Sequence, residues 1–197
     1  MFKDCAFVLD GPLGIFGQPA WLLPYVKREL QRINTFVRSR TGEDIVVFGI
    51  EKSGQFVDHF NNLDWTDRDG PRSKYQAGTL LTPSIDYIHR NIVLRAVGQK
   101  PYWGEITYYG RKVMYKTRSG EHAIINTTML NDAALDVKNV SEEAYPRIGD
   151  MLDIVDQLST YLYKDGFMPL VRANAHAAVP LKRGINILEE LFRNKPQ

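Results

Sequence analysis

The sequence predicts an α/β domain built on a mixed β-sheet, and three observations predict it. Apolar runs at Cys5 to Leu9 and Asp44 to Glu51 are separated by a segment of helical periodicity, the order strand, helix, strand. A hairpin pattern follows around Arg118-Ser119-Gly120, and two further helical segments close the chain. With 197 residues, 44% hydrophobic and 24% charged, the chain is long enough to bury one sizeable core, so residues 1–197 read as a single domain.

Each element has its own warrant. Cys5 to Leu9 is short, apolar and suited to a central strand, with Phe7, Val8 and Leu9 buried and Cys5 a small hydrophobe within it. From Pro19 to Ser39, Leu22, Val26, Leu30, Ile33 and Val37 recur every three to four residues, an amphipathic helix whose basic residues lie off the buried stripe. Thr41-Gly42-Glu43 stops it. The run DIVVFGIE is too continuously apolar to present a face to water. Gly54 to Leu63 reads as a short helix held by Val57 and Phe60, and Asp64 to Gly78 as an exposed polar loop. Thr82-Pro83-Ser84 begins a helix, with Thr82 as cap and Ile85, Ile88 and Ile92 on one face. Glu105 to Met114 and Glu121 to Met129 are the hairpin strands. A long helix over Pro146 to Lys164 carries Ile148, Leu152, Val155, Leu158 and Leu162. A short strand or turn over Pro169 to Ala175 and a helix over Gly184 to Asn194 complete the chain.

Composition limits the function classes. The single Cys5 excludes an internal disulfide framework and any multi-cysteine metal site. No run has the length of a membrane span, and Asp4 and Asp10 bracket the first apolar stretch, unlike a signal peptide, so the expected location is cytoplasmic without a membrane partner. A net charge of +2 does not demand nucleic acid, but Lys27, Arg28, Arg32, Arg38 and Arg40 crowd one segment, and Arg172, Lys182 and Arg183 lie near the far end. Solvated helix faces account for such residues equally well. No GxxxxGK[ST], G-x-S-x-G or HExxH is present, and Gly11, Gly14 and Gly17 have the wrong spacing for a dinucleotide fingerprint.

The chemistry-bearing candidates are acids at strand ends. Asp10 and Glu51 each terminate an apolar strand; if those strands are parallel neighbours, both carboxylates reach one edge of the sheet, where ligands gather in α/β folds. Close carboxylates repel unless a cation or proton lies between them, and an all-oxygen set selects a hard ion such as Mg²⁺ or Mn²⁺. The structural alternatives are a turn cap for Asp10 and an exposed strand end for Glu51. Asp86 is a third candidate, or a first-turn acid favoured by the helix dipole, with His89 three residues on. His176, flanked by Ala175, Ala177 and Ala178, lies after the short strand, whereas His59 and His122 read as structural. Asp58, Asp64, Asp67 and Asp69 compete for the place of third acid.

The LDG at Leu9 to Gly11, the GIEK at Gly49 to Lys52, the TPSIDYIHRNI helix and the late DGFMPLVRANAHAAVPL occur in an order that resembles the NurA nuclease domain family, over residues 5 to about 190. In that family a strand ends in Asp-Gly-Ser, a later strand carries an acid or a G-x-x-K element, a helix begins near an aspartate, and a GYPYPL…AH segment closes the chain. The resemblance implies a ribonuclease H-like fold related to the Argonaute PIWI domain and a Mn²⁺- or Mg²⁺-dependent DNA nuclease. It implies a homodimer that works with a hexameric HerA-type translocase in DNA end resection or anti-phage defence, here without the N-terminal segment of longer members. Asp10 matches the first metal-binding aspartate, Glu51 the second acid, Asp86 the third and His176 the closing histidine.

On that basis Asp10, Glu51 and Asp86 hold one or two cations, and His176 completes a metal shell or protonates the leaving oxygen. Lys52 positions a phosphate, and Lys27, Arg28, Arg32 and Arg172 contact the DNA backbone. Three features depart from the pattern: Pro12 replaces the usual serine, Phe167 replaces a tyrosine thought to serve the site, and two residues are inserted between Pro169 and His176. They motivate an alternative, a catalytically impaired adaptor docked on a ring ATPase. A guide-dependent Argonaute-like half is a third reading, which needs a basic channel.

Overall fold

The structure is a computed structural model that describes residues 5–13, 21–66, 72–93, 112–127, 145–159, 167, 169, 170, 172, 173 and 175. Its elements are β1 (Ala6–Asp10), α1 (Leu23–Thr41), β2 (Val46–Glu51), α2 (Gln55–Asp64), β3 (Trp65–Thr66), β4 (Arg72–Ser73), β5 (Leu80–Leu81), α3 (Ile85–Ile88) running on into a wider π-helical turn (His89–Val93), β6 (Lys112–Lys116), β7 (His122–Thr127) and α4 (Ile148–Leu158). Five strands form a mixed sheet in the order β1-β2-β7-β6-β5, flanked by helices. β1 and β2 are parallel, as a strand-helix-strand connection requires, and the other pairs are antiparallel.

Two cores cover the two faces. On one, Met151 and Val155 of α4, with Phe167 and Leu170, pack on Val46, Phe48, Ile50, Val113, Tyr115 and Ile125. On the other, Phe56, Val57 and Phe60 of α2 and Ile88 and Ile92 beyond β5 cover Met114 and Ile124. A small cluster of Val37, Ile45 and Val47 attaches α1. β2 is buried along its length, as DIVVFGIE predicts. The β6–β7 turn is tied to α4: Tyr115 Oη donates to Asp156 Oδ2 at 2.7 Å, and the Arg118 N–H donates to Asp156 Oδ1 at 2.9 Å. Burial, reinforced by the Asp156 carboxylate, pushes the Tyr115 hydroxyl up to about 12.

The loop after β1 answers why Gly49 interrupts an apolar strand. A Cβ on Gly49 would meet the Gly11 carbonyl oxygen at 2.3 Å and the Leu13 nitrogen at 2.8 Å, so the Gly11-Pro12-Leu13 backbone lies directly on this residue. The Gly11 N–H donates to the Ile50 carbonyl at 2.8 Å, and Gly11 itself has φ +118°, a conformation L-residues rarely adopt. Gly49→Ala is expected to lower stability by about 1–3 kcal/mol, the usual cost of overpacking, read as a lower urea midpoint; an unchanged midpoint would mean the loop is not held against the strand.

Several expectations are corrected. β1 is the outer strand among the described residues, with Phe7 55% and Leu9 41% exposed and Cys5 exposed; only Val8 packs on the core. Of the expected α1 stripe, Val37 is buried and Leu30 partly so, while Leu22, Val26 and Ile33 are exposed, because α1 touches the sheet mainly through its last turns. Asp64 to Gly78 is not simply an exposed loop: β3 pairs with β4, and Asp64 is buried. Ser84 rather than Thr82 caps α3, its Oγ accepting the Tyr87 N–H at 3.1 Å. α4 ends at Leu158, with Ser159 as its extended C-cap. The described residues between 169 and 175 are helical rather than extended, in keeping with leucine, arginine and alanine there. Residues 19, 20, 105–111, 128, 129, 160–164, 171, 174 and 184–194 of the expected elements, and the competing acids Asp67 and Asp69, lie outside the described residues.

Candidate active site at the sheet edge

β1 and β2 are parallel and end side by side, so Asp10 and Glu51 reach the same edge of the sheet. The pleat then turns them apart. Asp10 stands in register with Ile50, which belongs to the core under α4, whereas Glu51 stands opposite Ile124, which belongs to the core under α2. Successive residues of a strand point to opposite faces. The structure therefore does not bring the two acids to one face, and an ion shared between them, as the spacing predicts, is not what this register builds.

Asp10 is a quarter exposed and forms an ion pair with Lys52 Nζ at 3.0 Å. Lys52, two residues beyond Ile50, shares the face of Asp10, so it neutralises this acid rather than extending from Glu51. A Cβ on the adjacent Gly11 would meet nothing within 4 Å.

Glu51 has a closed environment. Its Oε1 accepts from Lys112 Nζ in a close contact and from Asn126 Nδ2 at 2.6 Å, and Lys112 and Asn126 are cross-strand partners on β6 and β7. The Lys112 side chain is wholly buried, with its ammonium 4.2 Å from the centre of the Phe56 ring. Burial pulls Lys112 down to about 8, against the pull of the Glu51 charge in the other direction.

Asp86, in the first turn of α3, pairs with Arg90 Nε at 3.1 Å, one turn on and at the surface, and α3 packs on the Glu51 side of the sheet. His176 lies outside the described residues. Arg172 is exposed on the helical stretch before it. Phe167 is buried in the core under α4 and packs as a hydrophobe there. On α1, Arg28 and Arg32 are exposed, with Arg32 held by Glu29 at 2.6 Å, and Lys27 is half-buried.

A polar centre stronger than any of the expected sites surrounds Asp64. Its carboxylate accepts from the Tyr75 N–H at 2.6 Å, Lys116 Nζ at 2.7 Å, His122 Nε2 at 2.8 Å and Ser73 Oγ at 2.8 and 2.9 Å. Burial by itself would raise this acid; the four donors outweigh it and hold the carboxyl far below the usual range. His122 also packs on Phe60, and His59 shares a hydrogen bond of 2.9 Å with Tyr87 Oη, both structural roles as expected. Sequence reasoning assigned no role to Lys112 or Lys116. Their signal was parity: in KVMYK both lysines share the face of Met114, so a buried strand needs counter-charges there.

The donors decide how well a divalent cation fits. Asp10 is compatible with one: it is a partly exposed carboxylate paired with a lysine whose side chain is itself a quarter exposed. Glu51 fits less well, because a buried ammonium and an amide already occupy its Oε1. Among the described residues no group of three or more His, Cys, Asp or Glu side chains is placed to hold a metal. A cleft of about 420 Å³ lies elsewhere, between the end of α1 and the start of α4, and its Arg38, Asp44, Arg147 and Asp150 neutralise one another. No described helix is long and apolar enough to cross a membrane. No family model matches the chain, no curated protein matches it, and no solved structure matches it.

Proposed function

We propose that the chain is a metal-dependent DNA nuclease with a ribonuclease H-like fold of the NurA type, a single domain over residues 1–197. It acts in the cytoplasm as a homodimer with a HerA-type hexameric ATPase, in DNA end resection or anti-phage defence. The observation that carries the reading is Asp10, partly exposed at the carboxyl end of a strand parallel to its neighbour and paired with Lys52. The order of the LDG, GIEK, SIDYIHRNI and ANAH motifs supports it.

Asp10 would hold Mn²⁺ or Mg²⁺, with His176 joining it as the resemblance implies. When bound, the ion supplies Lewis-acid stabilisation of the phosphodiester oxygens and an activated water. Lys52, paired with Asp10, would offer its ammonium to a phosphate oxygen held there. Glu51 keeps Lys112 and Asn126 in place and so holds the ends of β2, β6 and β7 together. Asp86 and Arg90 form a surface pair near the start of α3. Lys27, Arg28, Arg32 and Arg172 supply positive charge for the DNA backbone.

Asp10→Asn is expected to lower cleavage of linear DNA in Mn²⁺ by about a hundredfold or more, since the metal is worth several kcal/mol in such reactions; unchanged cleavage overturns the assignment. The closed environment of Glu51 favours a second reading, the non-catalytic adaptor on a ring ATPase. The two differ in metal binding: a hundredfold excess of Mn²⁺ over its Kd should raise the melting temperature by about 5–10 °C, and a flat response would favour the adaptor.

A further inference from the structure

The outward face of α1, continued into the turn at Trp21 just before it, carries large aromatic rings and arginines on one stripe. Trp21, Tyr25, Arg28, Arg32, Phe36 and Arg40 recur every three to four residues, opposite Val37 and Asn34, which are buried. Trp21 is 56%, Tyr25 55% and Phe36 50% exposed. Arg28 lies over the Tyr25 ring, with 5.2 Å from guanidinium carbon to ring centre, and Arg40 over Phe36 at 4.2 Å; Trp21 and Tyr25 meet edge to face at 6.1 Å. Three half-exposed aromatics within one helical stripe are a large apolar surface for a domain to leave in water, so the face is built to be covered.

Charge selects what covers it. α1 has five basic residues against one acid, Glu29, a helix net charge of +4 where the whole chain has +2. A second copy docking face to face would set these charges against themselves. A lipid surface asks for segregated apolar and basic faces, and here rings and guanidinium groups alternate along the same stripe. A polyanion that also offers flat apolar faces satisfies both, and single-stranded nucleic acid is such a ligand: phosphates meet the arginines while unpaired bases stack on the rings. Duplex DNA hides its base faces and leaves the aromatics uncovered.

From this arrangement we infer that α1 is a platform for single-stranded DNA, with Trp21, Tyr25 and Phe36 stacking on bases and Arg28, Arg32 and Arg40 holding phosphates. Tyr25 and Phe36 are about 16 Å apart along the helix axis, so one strand passes over several nucleotides. The choice of DNA over RNA rests on the nuclease reading above; the stacking does not.

The test measures binding by fluorescence anisotropy, with Asp10→Asn protein in EDTA, to three labelled ligands: a thymidine oligonucleotide, an abasic strand of equal length and a duplex. The double variant Tyr25→Leu with Phe36→Leu keeps apolar bulk and removes the rings. It is expected to bind the thymidine strand at least tenfold more weakly while affinity for the abasic strand and the melting temperature stay unchanged. Arg28→Ala with Arg32→Ala is expected to weaken all three ligands and flatten the salt dependence. Equal thymidine affinity in the ring variant overturns the inference. So does a self-associating parent that the ring variant turns monomeric, which would make the face a protein interface. Stacking intact in a protein that fails to cleave DNA with Mn²⁺ supports the inference and overturns only the nuclease reading.

Discussion

Lys112→Ala is expected to destabilise the protein by about 3–5 kcal/mol, the cost of leaving one member of a buried ion pair without its partner. Glu51 would stay behind, largely buried, with only Asn126 for company. For a chain of this size that corresponds to a fall of about 6–20 °C in melting temperature. The control is Lys112→Met combined with Glu51→Gln. Replacing both members of a buried pair by neutral groups of similar volume is often close to neutral, so the double variant should recover most of the loss. Failure to recover would mean that Lys112 matters through the contact of its ammonium with the Phe56 ring rather than through its pairing with Glu51. Mn²⁺ supplies a further outcome: if it restores Lys112→Ala to the parental melting temperature, Glu51 accepts a metal once its lysine is gone. In that case Glu51 returns to the metal set, and Lys112 is the residue that keeps the metal out.

Asp64→Asn is expected to cost a similar amount, about 3–5 kcal/mol. The amide keeps the shape but cannot accept from Lys116, His122, Ser73 and the Tyr75 backbone at once, and Lys116 is buried. The pH dependence separates this role from mere packing. Because the folded protein holds the Asp64 carboxyl below its ordinary value of 3.8, its stabilisation is complete above that value and is lost as pH falls through the acid range. The gap in unfolding free energy between parent and Asp64→Asn should therefore be constant from about pH 5 upward and shrink below about pH 4. A gap that stays constant to pH 2 would mean the carboxylate charge contributes nothing. Nuclease activity per folded molecule should be unaffected, because these donors tie α2 and β4 to β6 and β7 and leave no open oxygen for a metal.

Much of the sheet was legible because its signals are local. The apolar run of β2, the turn between β6 and β7 and the isoleucines of α3 need only periodicity and turn chemistry to be read, and Ile88 and Ile92 are buried as that periodicity requires. Asp64 was legible in principle: it follows Phe56 and Phe60 at intervals of four, on the buried stripe of α2, but polar neighbours on its other side made it look like the start of a loop. The aliphatic stripe expected of α1 misled in the opposite direction. Leu22, Val26 and Ile33 have the spacing of a buried face, and nothing in the spacing says that the sheet ends before it reaches them.

Taken by itself, the sequence determined the main strands and helices up to α4, their order, and the arrival of Asp10 and Glu51 at the ends of two apolar strands, since each of these depends on residues near one another in the chain. The tertiary structure decided what those acids face. The pairing of Asp10 with Ile50 and of Glu51 with Ile124 sets their pleat, and a shift of one residue would exchange the faces. Register therefore leaves Asp10 partly exposed beside a partly exposed lysine and sets Glu51 against a buried one. That pairing comes from contacts between strands far apart in sequence, which no local pattern encodes.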